Sequence, residues 1–431
     1  MSTALHGKKI AIYTLGCKVN QYESDSMEGL LKNAGCEIVS FDDYADAVII
    51  NTCSVTNIAE RKSRQIIHRA KKKNSDAVIV ACGCYVQSGK EDLEKDNSVD
   101  IIIGNNRKKD IVRILEEYFS DNQISDNYID INATSEYESM TVYKPTDHTR
   151  AYVKVQDGCN NFCTYCIIPY ARGRVRSKAL PEVLDEIKGL AQKGIREVVI
   201  TGINLPSYKD EDGNTLLELL LAAVKIDGIE RIRMGSLEPR IITEEFLDAI
   251  SKEEKICPHF HLSLQSACNA TLKRMNRRYT IEEYMEKCDL LRKYYVNPAI
   301  TTDVIVGFPG ETDEEFATTY DNLEKLNLYE MHIFKYSKRK GTPAATMPEQ
   351  VDDSTKEERS NRLLEMTRRH KSDYEALFAG QQLNVLVEEY VCEDGRYYIK
   401  GHTERYIYIK KEFEEEFCKN HINKLVEIVF I

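Results

Sequence analysis

Three short apolar runs in the first hundred residues each close on a cysteine: KKIAIYTLGC, VIINTCSV and VIVACGC. A helical stretch from about Asp25 to Lys32 separates the first two. β-Branched runs alternating with helices predict a parallel α/β sheet. Such sheets bind ligands at the carboxyl ends of their strands. The pattern therefore brings Cys17, Cys53 and a cysteine of CGC to one edge. Strand geometry does not separate Cys82 from Cys84, because residues two apart face the same way.

This first region extends over residues 1–140, and its polar tail, about Asp121 to His148, reads as a linker. A second region, 145–372, alternates again. AYVKVQDGC, EVVITGIN, IRMGSL, HFHLSLQS, AITTDVIVGFPG and MHIFKYSKRKG read as strands, with helical segments such as TIEEYMEKCDLLRKYY between them. Six β/α units are too few for a closed eight-unit barrel and predict an open partial barrel, with its site at the strand ends. Residues 373–431 contain QQLNVLVEEYV, RYYIKGHTERYIYIKK and LVEIVFI, the alternation of a small antiparallel β-barrel. The fold class is thus α/β in two parts with an all-β end.

Thirteen cysteines in a chain of 431 residues demand an explanation. The number is odd, and the polar start MSTALHGKKI is no signal peptide. No apolar run approaches the ~20 residues that span a membrane. The expectation is a cytoplasmic protein with no membrane partner, its thiols free to bind soft metals. A net charge of −11 argues against general phosphate binding and makes any local basic cluster informative.

One such set of thiols is explicit. DGCNNFCTYCIIPYARGR spaces Cys159, Cys163 and Cys166 as C-x3-C-x2-C at the end of the first barrel strand. Three thiolates on a four-iron cluster leave one iron without a protein ligand. That iron can bind the amino and carboxylate groups of S-adenosylmethionine (SAM), which a reduced cluster cleaves to a deoxyadenosyl radical. A zinc site would need a fourth ligand nearby, and the candidates lie far along the chain. Cys36, Cys257, Cys268, Cys288, Cys392 and Cys418 show no ligand spacing and read as small buried hydrophobes.

The cysteine segment resembles the radical SAM superfamily. The whole chain resembles the methylthiotransferases, through TLGCKVNQYES, NTCSVT, ACGCYVQ, GSLEP, HLSLQS, TTDVIVGFPGET and FKYSKRKGTPAA. Within them it looks most like the MtaB-type branch, which acts on threonylcarbamoyladenosine (t6A) in tRNA; Lys18 and Val19 are its most specific local mark. The resemblance implies two four-iron, four-sulfur clusters. Cys17, Cys53 and Cys84 hold the auxiliary one, and the Gly-Cys-Tyr step selects Cys84 over Cys82. Cys159, Cys163 and Cys166 hold the SAM cluster. It also implies two SAM molecules per turnover, one giving a methyl group to a cluster-bound sulfur, the other opening C2–H of the adenine next to the anticodon. A terminal TRAM domain, an electron donor such as flavodoxin or ferredoxin, and a sulfur source complete the expectation.

For SAM itself, Gly202 and Asn204 of TGIN occupy the place of the family's loop that meets the methionine amino group; Ser236 and Glu238 of GSLEP and Gln265 of LSLQS end the next two strands, where sites for ribose or carboxylate accumulate, and the aromatic Tyr165 precedes the third cysteine. VGFPGE lacks the ending of a phosphate loop and reads as the turn closing the fifth strand. The t6A carboxylate needs a cation, for which Arg172 and Arg174 are near enough in chain. For RNA there are three basic clusters: Arg61, Arg64, His68 and Lys71 with Arg69, Lys72 and Lys73; RGRVRSK; and KYSKRKG. Tyr397, Tyr398, Tyr406 and Tyr408 among Arg396, Lys400, Arg405, Lys410 and Lys411 suit stacking on unpaired bases of the anticodon loop. Alternatives are an isopentenyladenosine substrate, a ribosomal protein substrate, or a non-catalytic metal-dependent RNA-binding protein.

Overall fold

A computed structural model describes residues 4–121, 127–142 and 149–430. In the first part β1 (Lys9–Thr14), α1 (Lys18–Asn33), β2 (Glu37–Val39), β3 (Ala47–Thr52), α2 (Asn57–Lys73), β4 (Val78–Gly83), α3 (Cys84–Ser88), α4 (Lys90–Glu94), β5 (Ile101–Ile103) and α5 (Ile111–Asp121) follow in order. The five strands form one parallel sheet in the order β2-β1-β3-β4-β5. β3 and β4 are buried at every residue, as parallel strands covered on both faces must be. Helix α1 begins at Lys18, with Cys17 as its N-cap, and not at Asp25. The polar KVNQYES escapes a simple reading because its buried polar residues, Asn20 and Glu23 among them, are satisfied by distant partners.

The expected linker is only partly within the described residues. Its stretch 127–142 has no regular element, yet Ile131, Met140 and Val142 are buried and Tyr22 donates to the Met140 carbonyl. It is a strap between the two sheets.

The second part contains β6 (Arg150–Lys154), β7 (Gln156–Asp157), α6 (Ile168–Ala171), β8 (Arg176–Ser177), α7 (Leu180–Gln192), β9 (Glu197–Thr201), α8 (Leu216–Ala223), β10 (Arg231–Met234), α9 (Glu244–Ile250), β11 (His259–His261), α10 (Asn269–Arg274), α11 (Ile281–Tyr294), β12 (Ala299–Val306), α12 (Asp313–Leu326), β13 (Glu330–Lys335) and α13 (Asp353–Ala376). All six expected barrel strands are present. They form two parallel trios, β10-β9-β6 and β11-β12-β13, linked by parallel bridges Ile232–Ile256 and Leu237–Leu262. The wall stays open between β13 and β6. Helix α1 lies along β6, with Lys154 Nζ 2.9 Å from Glu23 Oε1.

The last part, β14 (Gln382–Glu393), β15 (Arg396–Thr403), β16 (Tyr408–Phe413), α14 (Glu415–Asn420) and β17 (Leu425–Val429), is an antiparallel sheet in the order β16-β15-β14-β17. It curls into a half-barrel and not a closed barrel. It docks on the amino-terminal ends of the barrel strands, opposite the cysteines. Arg231 and Arg233 there donate to the carbonyls of His402, Asn384, Thr403 and Glu404 at 2.7–3.1 Å. No helix among the described residues is long and apolar enough to cross a membrane.

Candidate active site

Cys17, Cys53 and Cys84 follow the carboxyl ends of the adjacent strands β1, β3 and β4, where the strand order reverses. Gly83 separates Cys82 from Cys84 in the fold. Its φ of +93° turns the chain out of β4, and a Cβ there would lie 2.4 Å from the Thr52 carbonyl oxygen. Cys82 remains in the apolar core, while Cys84 heads α3 and shares its electrostatic environment with Cys17 and Cys53. Gly16 serves the same closeness, since a Cβ there would stand 3.1 Å from Cys53 Sγ.

Beneath this triad lies a buried ionic network absent from the sequence reading. Arg172, fully buried, donates to Glu23 at 2.8 Å, to Asn20 Oδ1 at 2.7 Å and from Nε to Cys84 Sγ at 3.2 Å. Lys108 and Lys154 also reach Glu23, at 3.1 and 2.9 Å, and Lys154 reaches Asp157 at 2.6 Å. Arg176, buried as well, has Nε and Nη1 without a partner among the described residues. Four buried cations thus gather around Glu23 and Asp157, with the buried Glu138 also acting on Lys154. A surplus of buried positive charge is costly unless anions offset it. Three thiolates beside it would do so.

The second triad sits on the loop after β7. Main-chain bonds anchor that loop at both ends, Cys159 N to Gly173 O at 3.0 Å and Thr164 N to Met275 O at 3.1 Å. Gly158 has no alternative, because a Cβ there would lie 1.8 Å from the Arg174 carbonyl oxygen. Arg277 donates from Nη1 to Cys163 Sγ at 3.2 Å, and its other nitrogens to Tyr279 Oη and Ser263 O. It has no carboxylate partner among the described residues, so a thiolate is its natural counter-charge.

These donors suit clusters better than single ions. Four sulfurs on one tetrahedral ion, at ~2.3 Å each, stand under ~4 Å apart. Neither cysteine triad has all its sulfurs within 4.8 Å of one another; among the described residues only His261, Asp303 and His332 form such a group. Both nitrogens of His261 are already engaged there, by Thr301 Oγ1 at 3.0 Å and Asp303 at 3.3 Å. Burial pushes the Cys53 thiol up to about 11 and the Cys166 thiol up to about 12, and raises Cys84 and Cys159 too. Such thiols keep their protons until a metal displaces them.

Of the residues expected to bind SAM, Asn204 and Glu238 line a cleft of about 410 Å³ together with Asn160, Asn161, Pro206 and Arg240. Glu238 is held there by Arg240 at 2.7 Å. Gly202 packs against Gln156, which a Cβ would approach to 2.9 Å. Gln156 is a residue the sequence reading missed. It donates to the Gly158 carbonyl at 2.8 Å and accepts from Asn204 N at 2.7 Å, so it ties the TGIN loop to the cysteine loop. Ser236 is exposed at its strand end. Gln265 adopts φ +77° with its backbone bonded to β12, and Tyr165 packs edge-on to Phe308. VGFPGE follows β12 directly, and Glu311 closes it by accepting from Gly307 N at 2.9 Å.

The basic clusters are redistributed. In RGRVRSK, Arg172, Arg176 and Lys178 are buried, Arg172 and Lys178 paired with interior carboxylates, leaving Arg174, which stacks over Phe162 at 4.5 Å. Arg172 is therefore excluded as a partner for a substrate carboxylate. On α2, His68, Arg69, Lys71 and Lys73 pair with Asp96, Asp42, Asp100 and Asp42. The start of α2 nevertheless meets KYSKRKG across some 280 residues of chain: Asn57 N donates to Ser337 Oγ at 3.0 Å and its Nδ2 to Lys338 O at 2.9 Å. Arg61, Lys62, Lys338 and Lys340 are left exposed there. Tyr406 is no open platform. It stacks on His259 and His402 beneath Arg150 and Arg233, wedged into the far end of the barrel, while Tyr408 is exposed.

Residues 153–323 match the family model "Radical SAM superfamily", and residues 9–104 match "Uncharacterized protein family UPF0004". The threonylcarbamoyladenosine tRNA methylthiotransferase MtaB of Bacillus subtilis is 38% identical over 97% of this chain and 93% of its own length. That of Aquifex aeolicus is 40% identical over 98% of this chain and 100% of its own. A tRNA-2-methylthio-N(6)-dimethylallyladenosine synthase of Alkaliphilus oremlandii is 37% identical over 88% and 82%. Among solved structures, the radical S-adenosylmethionine methyltransferase TsrM of Kitasatospora setae aligns with a TM-score of 0.57 at 16% identity, over 79% of this chain and 74% of its own, a likeness of fold.

Proposed function

This chain belongs to the radical SAM tRNA methylthiotransferases, and from that premise we propose that it methylthiolates C2 of N6-threonylcarbamoyladenosine in tRNA, next to the anticodon. It is a transferase that uses SAM, two molecules per turnover, and two four-iron, four-sulfur clusters. One observation carries the reading. Two thiol triads, each with a guanidinium 3.2 Å from one sulfur, Arg172 buried and Arg277 half-buried, stand at the carboxyl ends of two parallel sheets packed together through Glu23 and Lys154.

In this reading Cys17, Cys53 and Cys84 hold the auxiliary cluster, and Cys159, Cys163 and Cys166 the SAM cluster. Bound there, the clusters supply the electron that cleaves SAM and an open iron to carry the sulfur. A radical is needed because adenine C2–H is not acidic. The protein's share is to orient and to exclude water. Gln156 keeps the TGIN loop in register with the cysteine loop, so that Asn204 and Glu238 meet the polar groups of SAM. Arg172 and Arg277 keep negative charge on sulfur stable in a buried site. The joint surface of α2 and the 337–340 loop, with Arg174, takes the phosphates of the anticodon arm, and Tyr408 stacks on an unpaired base. Residues 1–140, 145–372 and 373–431 then act as sulfur-carrying, radical-generating and RNA-binding domains. The enzyme works in the cytoplasm with a flavodoxin- or ferredoxin-type donor and a sulfur source.

Expression in a bacterial strain lacking its own such enzyme, followed by mass spectrometry of tRNA nucleosides, tests this. The methylthio form of t6A should appear with the intact chain and not with Cys163→Ala. Appearance of the methylthio isopentenyl nucleoside instead would refute the substrate while leaving the chemistry.

A further inference from the structure

Two imidazoles and a carboxylate meet on the barrel wall, outside both cysteine sites. His261 ends β11, Asp303 lies in the middle of β12 and His332 in the middle of β13, three adjacent parallel strands. The backbone fixes their register: His261 pairs with Thr301, and Asp303 with His332. Side chains alternate along a strand. Phe260, Leu262, Ile300, Val304 and Met331 belong to the main core beneath the helices, so His261, Asp303 and His332 share the opposite, inner face of the barrel. One donor atom from each lies within 4.8 Å of the other two.

The contacts of His261 are those of a ligand. Its Nδ1 meets the hydroxyl of the buried Thr301 at 3.0 Å, the kind of outer bond that orients a metal-bound imidazole. With the proton on Nδ1, Nε2 is a bare lone pair, and it faces Asp303 Oδ2 at 3.3 Å. Two acceptors set against each other call for a cation between them. Zinc bonds of ~2.0–2.2 Å to nitrogen and carboxylate oxygen place tetrahedral ligand atoms ~3.4 Å apart, close to that separation. His332 supplies the third donor. It is exposed, its ring is stacked on His261 with centroids 5.7 Å apart, and it has no hydrogen-bond partner among the described residues.

We propose that His261, Asp303 and His332 form a zinc site on the inner wall of the barrel, with Thr301 orienting His261. Two imidazoles and one carboxylate are the donor set of zinc sites that keep a fourth position open, and they include none of the soft thiolates that a cluster takes. The open position faces the barrel interior, where water or an anionic oxygen completes it. The site is tied to the strand ends through the backbone, since Gln265 N donates to the Asp303 carbonyl at 2.9 Å. It is independent of which nucleoside the enzyme modifies.

The test loads the cluster-containing protein with zinc under anaerobic conditions, strips loose ion on a chelating resin, and counts zinc and iron by mass spectrometry. Wild type should retain about one zinc per chain beyond its iron. His332→Phe, a change at an exposed position, should retain none, with iron unchanged. Thr301→Val should keep the site but weaken it about tenfold to a hundredfold in competition with a chromogenic chelator. X-ray absorption at the zinc edge should show nitrogen and oxygen neighbours and no sulfur. Wild type that retains no zinc would reduce His261 and Asp303 to an ion pair only and overturn the proposal. Zinc held equally by His332→Phe, or a shell of sulfur around it, would put the metal elsewhere and overturn it as well. None of these measurements uses tRNA, so their failure leaves the substrate reading untouched.

Discussion

Arg277 donates to Cys163 Sγ at 3.2 Å without a carboxylate to neutralise it among the described residues. Arg172 and Cys84 repeat the distance at the other triad, in a buried network with more cations than acids. The two sites are thus built alike, each with a guanidinium aimed at one sulfur where negative charge must be tolerated.

A hydrogen bond to a ligand sulfur favours the reduced, more negative state of a cluster. Arg277→Met should lower the midpoint potential of the SAM cluster by about 60 mV, the one-electron equivalent of about 1.4 kcal/mol. A donor of fixed potential should then reduce a smaller fraction of the cluster, with iron content unchanged. Spectroelectrochemistry checks it, and an unmoved potential would reduce Arg277 to a packing residue.

Arg172 has a different task, because Glu23 and Asp157 both depend on it. Removing one partner from a buried ionic network costs about 3–5 kcal/mol. Arg172→Met should therefore lower the denaturation midpoint sharply and reduce iron in the auxiliary site selectively. Arg174→Met, at an exposed position, should do neither.

The turn at Gly83 separates two cysteines that sequence alone leaves together. Cys84→Ala should bring iron from about eight to about four atoms per chain, the loss of one four-iron cluster. Cys82→Ala should keep both clusters and cost only about 1 kcal/mol of packing. Equal iron loss in the two variants would contradict the geometry.

Acid should loosen the barrel through His259. Burial, then Arg233, Lys18, His261 and His332, hold its imidazole well below the usual range, and its Nδ1 has no partner. Below pH ~6.5 the unfolded chain therefore binds a proton that the native chain refuses. Stability is complete above that pH and should fall by up to ~1.4 kcal/mol per unit as pH drops from there. Urea midpoints at pH 7.5 and 5.5 should differ less in His259→Phe than in wild type.

How far such features could be foreseen depends on how local they are. The three cysteine-closed sheet strands, the six barrel strands and the terminal antiparallel strands were legible, because alternation, β-branching and strand-end placement act over a few residues; β2 and β5, three residues each, were not. Helix α1 was misjudged at its start because Asn20 and Glu23 look like surface residues until Arg172 and Lys154 arrive. Charge was the least legible quantity. RGRVRSK reads as a basic surface, yet three of its four cations are interior, since ion pairing depends on acids more than a hundred residues away in the case of Arg172. Tyr406 likewise reads as a stacking ring and becomes a wedge, because Arg150, Arg233 and His259 surround it only once the half-barrel docks. The sequence by itself determined where each thiol leaves its strand, a matter of local backbone. Only the tertiary structure decided which charges those thiols face, because the partners are brought together by the packing of distant elements.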